Sequence, residues 1–117
     1  MISGIDLSAT VDYVCKDDKE NPTTWKLGMV SSNMLGKLSA GVTGSEIDMA
    51  YKLLQLTIKG WVNFSEEYKT VKENIFGQEI DVVPVSVLGR IPLKVITELS
   101  AKVLEINGLS KEEQKNS

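Results

Sequence analysis

The chain contains no histidine, one cysteine and one arginine among its 117 residues. The missing histidine removes the commonest general base and the commonest transition-metal ligand. Ser-His, Cys-His and His-zinc sites are therefore excluded. A lone Cys15 cannot close an internal disulfide, which suits a reducing compartment. No apolar run approaches the roughly 20 residues that span a bilayer. Only Met1 and Ile2 precede the first polar residues, so no signal peptide is expected, and the cytoplasm is the expected location. Lys16, Lys19, Lys26, Lys37, Lys52, Lys59 and Arg90 are scattered, with no basic cluster, and the net charge is −3. Nucleic-acid binding, which draws on a basic patch, is not expected.

What remains is an ordinary globular mixture: 42% hydrophobic and 25% charged residues. The length suits one domain with one modest core. We place that domain at 1–109 and expect the polar stretch 110–117 to be a frayed tail.

Ile5, Leu7, Ala9, Val11, Tyr13 and Cys15 alternate with mostly polar residues, the period of a half-buried strand. A charged turn at 17–22 ends in Asn21-Pro22, and Trp25, Leu27 and Met29 then alternate in a second strand. Ser31-Ser32-Asn33 offers an N-cap for a short helix, 34–39, followed by a glycine-containing connection at 41–44. Ser45 is placed to cap a central helix over 46–59, with Glu46 and Asp48 favourable in its first turn. Gly60 is expected at C′ of that helix, with Trp61 packing back on Leu56. Segments 68–73 and 78–83 read as a second hairpin around Asn74 to Gly77, stopped by Pro84. After a short turn or helix at 85–89, Pro92 opens a helix that runs to Asn107, with Gly108 as its stop. Its stripe is Leu93, Ile96, Leu99, Val103 and Ile106.

The fold class is therefore α+β. Two β-hairpins form an antiparallel sheet packed against two main helices (46–59 and 92–107) and a short helix. Val11, Trp25, Leu27, Leu54, Ile58, Leu99 and Val103 are the expected core.

The candidate chemical groups all have structural explanations. Asp17, Asp18, Glu20 and Asn21 resemble a hard-cation loop in composition but not in spacing, and read as a solvated turn. Asp6 and Asp12 share a strand face but lie roughly 20 Å apart, too far for a catalytic carboxylate pair. Cys15 falls on an apolar face and reads as a buried structural thiol. Asn63-Phe64-Ser65 matches a glycosylation sequon without a secretory signal. Trp25, Tyr51, Trp61 and Phe64 read as core or interface anchors. No catalytic, cofactor or metal site is assigned, and the chain is not expected to be an enzyme.

The central helix carries two apolar stripes. Ile47, Ala50, Tyr51, Leu54 and Ile58 form one; Met49, Leu53 and Leu56 form the other. One stripe serves the core, so the Met49, Leu53 and Leu56 side is the expected contact for a protein partner or a second copy. The competing reading buries both stripes between two layers.

Four segments carry a family resemblance: Asn21-Pro22-Thr23-Thr24-Trp25-Lys26-Leu27-Gly28, Ile58-Lys59-Gly60-Trp61-Val62-Asn63-Phe64, Arg90-Ile91-Pro92-Leu93, and Leu109-Ser110-Lys111-Glu112-Glu113-Gln114-Lys115-Asn116. In order and spacing the chain resembles small proteins of phage and prophage head and tail gene clusters, and its layout resembles tail-assembly chaperones. The resemblance implies a non-catalytic morphogenesis protein that acts by protein–protein contact in the host cytoplasm or the virion. It carries no catalytic residues over. A small regulatory or anti-defence binding protein is the alternative of similar composition.

Overall fold

The computed structural model describes residues 3–41 and 46–108. Its elements, in chain order, are β1 (Thr10–Tyr13), β2 (Thr24–Gly28), α1 (Ser32–Gly41), α2 (Glu46–Thr57), β3 (Ile58–Val62), β4 (Val71–Ile75), β5 (Gln78–Val82), α3 (Val85–Leu88) and α4 (Leu93–Ile106). The arrangement is α+β and antiparallel throughout. The two hairpins do not share a sheet, however. β1, β2 and β3 form one sheet in that order, and β4 and β5 form a separate two-stranded ribbon.

The third strand replaces the expected helix end. α2 stops at Thr57 and β3 starts at the next residue, so Gly60 lies inside a strand. Gly60 is absent from the positive-φ glycines, which are Gly77 and Gly108 among the described residues. Gly60 stands opposite Lys26, whose aliphatic stem lies over it. Trp61 pairs across the sheet with Trp25 rather than folding back on Leu56. The β-branched and aromatic residues Thr57, Ile58, Trp61 and Val62 favour a strand once β2 offers them a partner. The register slips at Lys26/Leu27, where Leu27 pairs with Ile58 and Lys59 is passed over as a bulge.

α1 begins where expected. The Ser31 hydroxyl accepts the Met34 N–H at 3.1 Å, an N-cap bond. The helix runs past 39 to Gly41; Ser45 and the tail at 110–117 lie outside the described residues.

α2 lies at the centre of the molecule, against α1, α3, α4 and β2. Its last five residues, Leu53, Leu54, Gln55, Leu56 and Thr57, are all buried. At about 100° per residue, five in a row cover the whole circumference. That accounts for the double apolar stripe: both sides meet this same chain.

α4 buries Ile96, Leu99 and Val103 and ends at Asn107 and Gly108, the latter at φ 88°. Asn107 caps in two directions. Its Nδ2 donates to the Val103 carbonyl at 2.8 Å, and its Oδ1 accepts the Val30 N–H at 3.0 Å. Leu93, assigned to the buried stripe, is exposed.

Six of the seven expected core residues are buried: Trp25, Leu27, Leu54, Ile58, Leu99 and Val103. Val11 is 39% exposed even though it pairs with the fully buried Leu27. β1 is an edge strand, and α4 meets its C-terminal end through Tyr13 and the Cys15 that follows it.

Candidate interaction surface

The expected contact side of α2 is not a surface. Leu53 is 1% exposed and Leu56 5%, both members of the core, and Met49 is half-buried. An aspartate at Leu53 would meet the interior of this chain, so a contact made through that side is withdrawn.

The two edges of the three-stranded sheet differ. Along β3 the chain folds back as a loop over 63–70. The Tyr68 hydroxyl donates to the Ile58 carbonyl at 3.4 Å, and the Trp61 Nε1–H donates to the Glu66 carbonyl at 2.8 Å. Burial raises the pKa of the Tyr68 hydroxyl. The rings of Trp25, Trp61, Phe64 and Tyr68 lock this corner, with centroids 5.0–5.8 Å apart. The Asn63 side-chain amide donates to the carbonyls of Asn21 and Pro22, so the sequon asparagine is engaged in holding two loops together.

Among the described residues, nothing pairs with the outer edge of β1. Ile5, Leu7, Val11 and Val14 are exposed in and beside it. The alternation that predicted a strand from Ile5 is interrupted by a turn. The Asp6 carboxylate accepts the Ser8 N–H at 3.0 Å and the Ser8 hydroxyl at 2.6 Å, and the Ala9 N–H bonds to the Asp6 carbonyl at 3.1 Å. These Ser8 bonds hold the Asp6 carboxyl below its ordinary pKa. Local side-chain bonding has thus won over strand extension.

At the other end of β1 lies a shallow groove of about 200 Å³, lined by Cys15, Asp17, Asp18, Lys94, Val95 and Glu98. Glu98 is its organising residue. Its Oε2 accepts the Tyr13 hydroxyl at 2.5 Å and the Lys16 N–H at 2.9 Å. The Tyr13 bond, chiefly, lowers the Glu98 pKa. Desolvation, chiefly, raises that of Tyr13. Burial, aided by Glu98, pushes the Cys15 thiol up to about 11. A thiol so placed stays protonated at neutral pH, the opposite of what a nucleophile needs. Asp17 pairs with Lys94 at 2.8 Å, and Asp18 accepts the Thr23 N–H at 2.8 Å. The carboxylates of the expected solvated turn are thus turned towards different partners. Among the described residues no group of three His, Cys, Asp or Glu side chains is placed to hold a metal. The groove fastens α4 to the end of β1.

Sequence reasoning singled out Cys15 and Asp17 but missed Glu98. Its partners lie more than 80 residues away in the chain, and no local pattern marks it.

Compared with protein-family models, with curated proteins and with solved structures, the chain gives no match. No helix among the described residues is long and apolar enough to cross a membrane.

Proposed function

We propose that this chain is a non-catalytic virion-morphogenesis protein that works in phage tail or head–tail assembly through protein–protein contact. The observation that carries this reading is the open edge of β1, flanked by exposed Ile5, Leu7, Val11 and Val14. An unpaired strand edge with apolar side chains is a ready template for another chain. At the opposite edge of the same sheet the following loop packs along β3, with the Tyr68 hydroxyl on the Ile58 carbonyl and the Trp61 ring nitrogen on the Glu66 carbonyl. The chemistry around Cys15 fits the same reading, because a raised thiol pKa favours packing over reaction. The head–tail assignment rests on the four segments described above.

The test is affinity capture with tagged chain during phage growth, together with mass spectrometry of purified virions and tail-assembly intermediates. The reading expects the chain in particles, or bound to a tail or head component before assembly. Absence from both, with expression confined to early infection, would favour the regulatory alternative.

A further inference from the structure

We infer that Asn107-Gly108, at the end of α4, is a self-modification site: deamidation of Asn107 unfastens the end of α4 from the exit of β2. The inference is independent of the assembly reading.

Asn107 is the one asparagine of this chain that precedes glycine; the others precede proline, methionine, phenylalanine, isoleucine or serine. Deamidation begins when the main-chain nitrogen of the next residue attacks the side-chain carbonyl carbon. Glycine leaves that nitrogen without a side chain beside it. Gly108 is exposed and Asn107 half-buried, so water reaches the pair. The Gly108 nitrogen gives its proton to hydroxide and bonds to Asn107 Cγ. The bond from Cγ to Nδ2 breaks, and Nδ2 takes a proton from water and leaves as ammonia. Water then opens the cyclic imide at either carbonyl, giving aspartate or isoaspartate. Loss of ammonia to solvent makes the conversion one-way.

The fold ties up both reacting groups. The Gly108 N–H donates to the Glu105 carbonyl at 3.0 Å. Asn107 Nδ2 donates to the Val103 carbonyl at 2.8 Å, and Oδ1 accepts the Val30 N–H at 3.0 Å. Cyclisation needs the nitrogen and the amide free together. It therefore proceeds through opening of the last turn of α4, and helix ends open more easily than helix centres.

The products do not restore the fastening. An aspartate has no N–H to give the Val103 carbonyl, and its charge is disfavoured at a helix C-terminus. An isoaspartate runs the main chain through the former side chain, so the Val30 bond is lost as well. Val30 lies between β2 and the Ser31 cap of α1, and the Asn107 side chain is what bonds α4 to that junction.

The experiment incubates the full chain at mildly alkaline pH and physiological temperature, folded and in urea, and maps the products by peptide mass spectrometry. Conversion is expected at Asn107, faster in urea on the order of tenfold or more. Gly108→Ala should slow it in urea, where the fold plays no part. Hydrogen exchange is then compared between fresh chain and the separated isoaspartate form. The Val30 amide should exchange on the order of tenfold faster in that form, with the β4–β5 amides unchanged. A folded chain that never converts at Asn107 overturns the inference, as does equal conversion in folded and unfolded chain. So does a Gly108→Ala chain that converts as fast as wild type in urea, or a Val30 amide indifferent to the conversion.

Discussion

The side-chain amide of Asn63 donates to the main-chain carbonyl of Asn21 at 2.6 Å, and both residues hold a left-handed backbone, at φ 66° and 50°. The bond ties the β1–β2 loop to the loop that leaves β3, and the Thr23 hydroxyl returns a bond to the Asn63 carbonyl at 2.8 Å. Asparagine is among the few residues that adopt this conformation readily. Asn63→Gly keeps the backbone and loses the amide, whereas Asn63→Ala loses both. We expect Asn63→Ala to cost about 1 kcal/mol more than Asn63→Gly in urea unfolding. Equal losses would show that φ at this position carries no cost.

Two glycines should behave in opposite ways. Gly77 sits at φ 85° in the β4–β5 turn with nothing within 4 Å of an added Cβ, so Gly77→Ala tests the backbone alone. It should cost about 1–2 kcal/mol. Gly60 has a strand backbone, and an added Cβ would meet only the Lys26 stem at 3.5 Å. Gly60→Ala should be neutral or mildly stabilising, since glycine weakens a strand interior. Comparison of the two denaturation midpoints decides the point; a Gly60→Ala loss as large as that of Gly77→Ala would return Gly60 to a helix cap.

That contrast marks where the sequence was legible. α4 could be read from local signals alone, Ile96, Leu99 and Val103 in phase and Gly108 at the stop, because every signal lies within one helix. The β4–β5 turn was legible for the same reason. β3 was not. Lys59-Gly60-Trp61 after an amphipathic run satisfies the pattern of a helix end, and only the pairing of Trp61 with Trp25 shows otherwise. The exposure of Val11 goes with its place on the edge strand β1, which no strand period encodes. Glu98 is set by contacts across the whole chain. The partner surface was sought on α2 because its apolar excess is visible in sequence; the layers that consume that excess are not.

Leu54→Ala should be strongly destabilising. Leu54 is fully buried in the C-terminal half of α2, and truncation of a well-packed leucine costs about 2–5 kcal/mol. Leu53→Asp should go further and abolish cooperative unfolding, since it places a carboxylate where 1% of the side chain meets solvent. A folded Leu53→Asp variant with near-native circular dichroism would contradict the placement of α2.

The Tyr13–Glu98 bond predicts an acid limb. The Tyr13 bond holds the Glu98 carboxyl below its ordinary pKa of 4.5, so its contribution is complete above that value and is lost as the pH falls through the lower folded pKa. Tyr13→Phe removes the hydroxyl and should cost about 1–3 kcal/mol at pH 7. The gap between wild type and variant should narrow below pH 4.5 as Glu98 protonates. A gap constant from pH 7 to about 3 would mean that the carboxylate charge contributes nothing to the bond.

Gln55 gives the sharpest test of the centre. It is buried on α2, and its Nε2 donates to the Val83 carbonyl and to Glu73 Oε2, each at 3.0 Å. These bonds hold the separate β4–β5 ribbon to the helix. Its Oε1 has no partner among the described residues. Gln55→Glu keeps the shape but replaces the donor with an acceptor facing a carbonyl and a carboxylate. The ionised form is disfavoured in the folded state, so the folded pKa of the introduced group lies above its unfolded value of about 4.3. The sign is therefore opposite to that of Glu98. Below about pH 4.3 the protonated group can still donate, and the variant should approach wild type. As the pH rises, the loss should grow to about 3 kcal/mol or more. Adding Glu73→Gln should recover part of that loss at neutral pH by removing one of the facing charges. Urea midpoints measured across that range check both steps; a Gln55→Glu loss that does not change with pH would show that solvent reaches this position and that the ribbon is held in some other way.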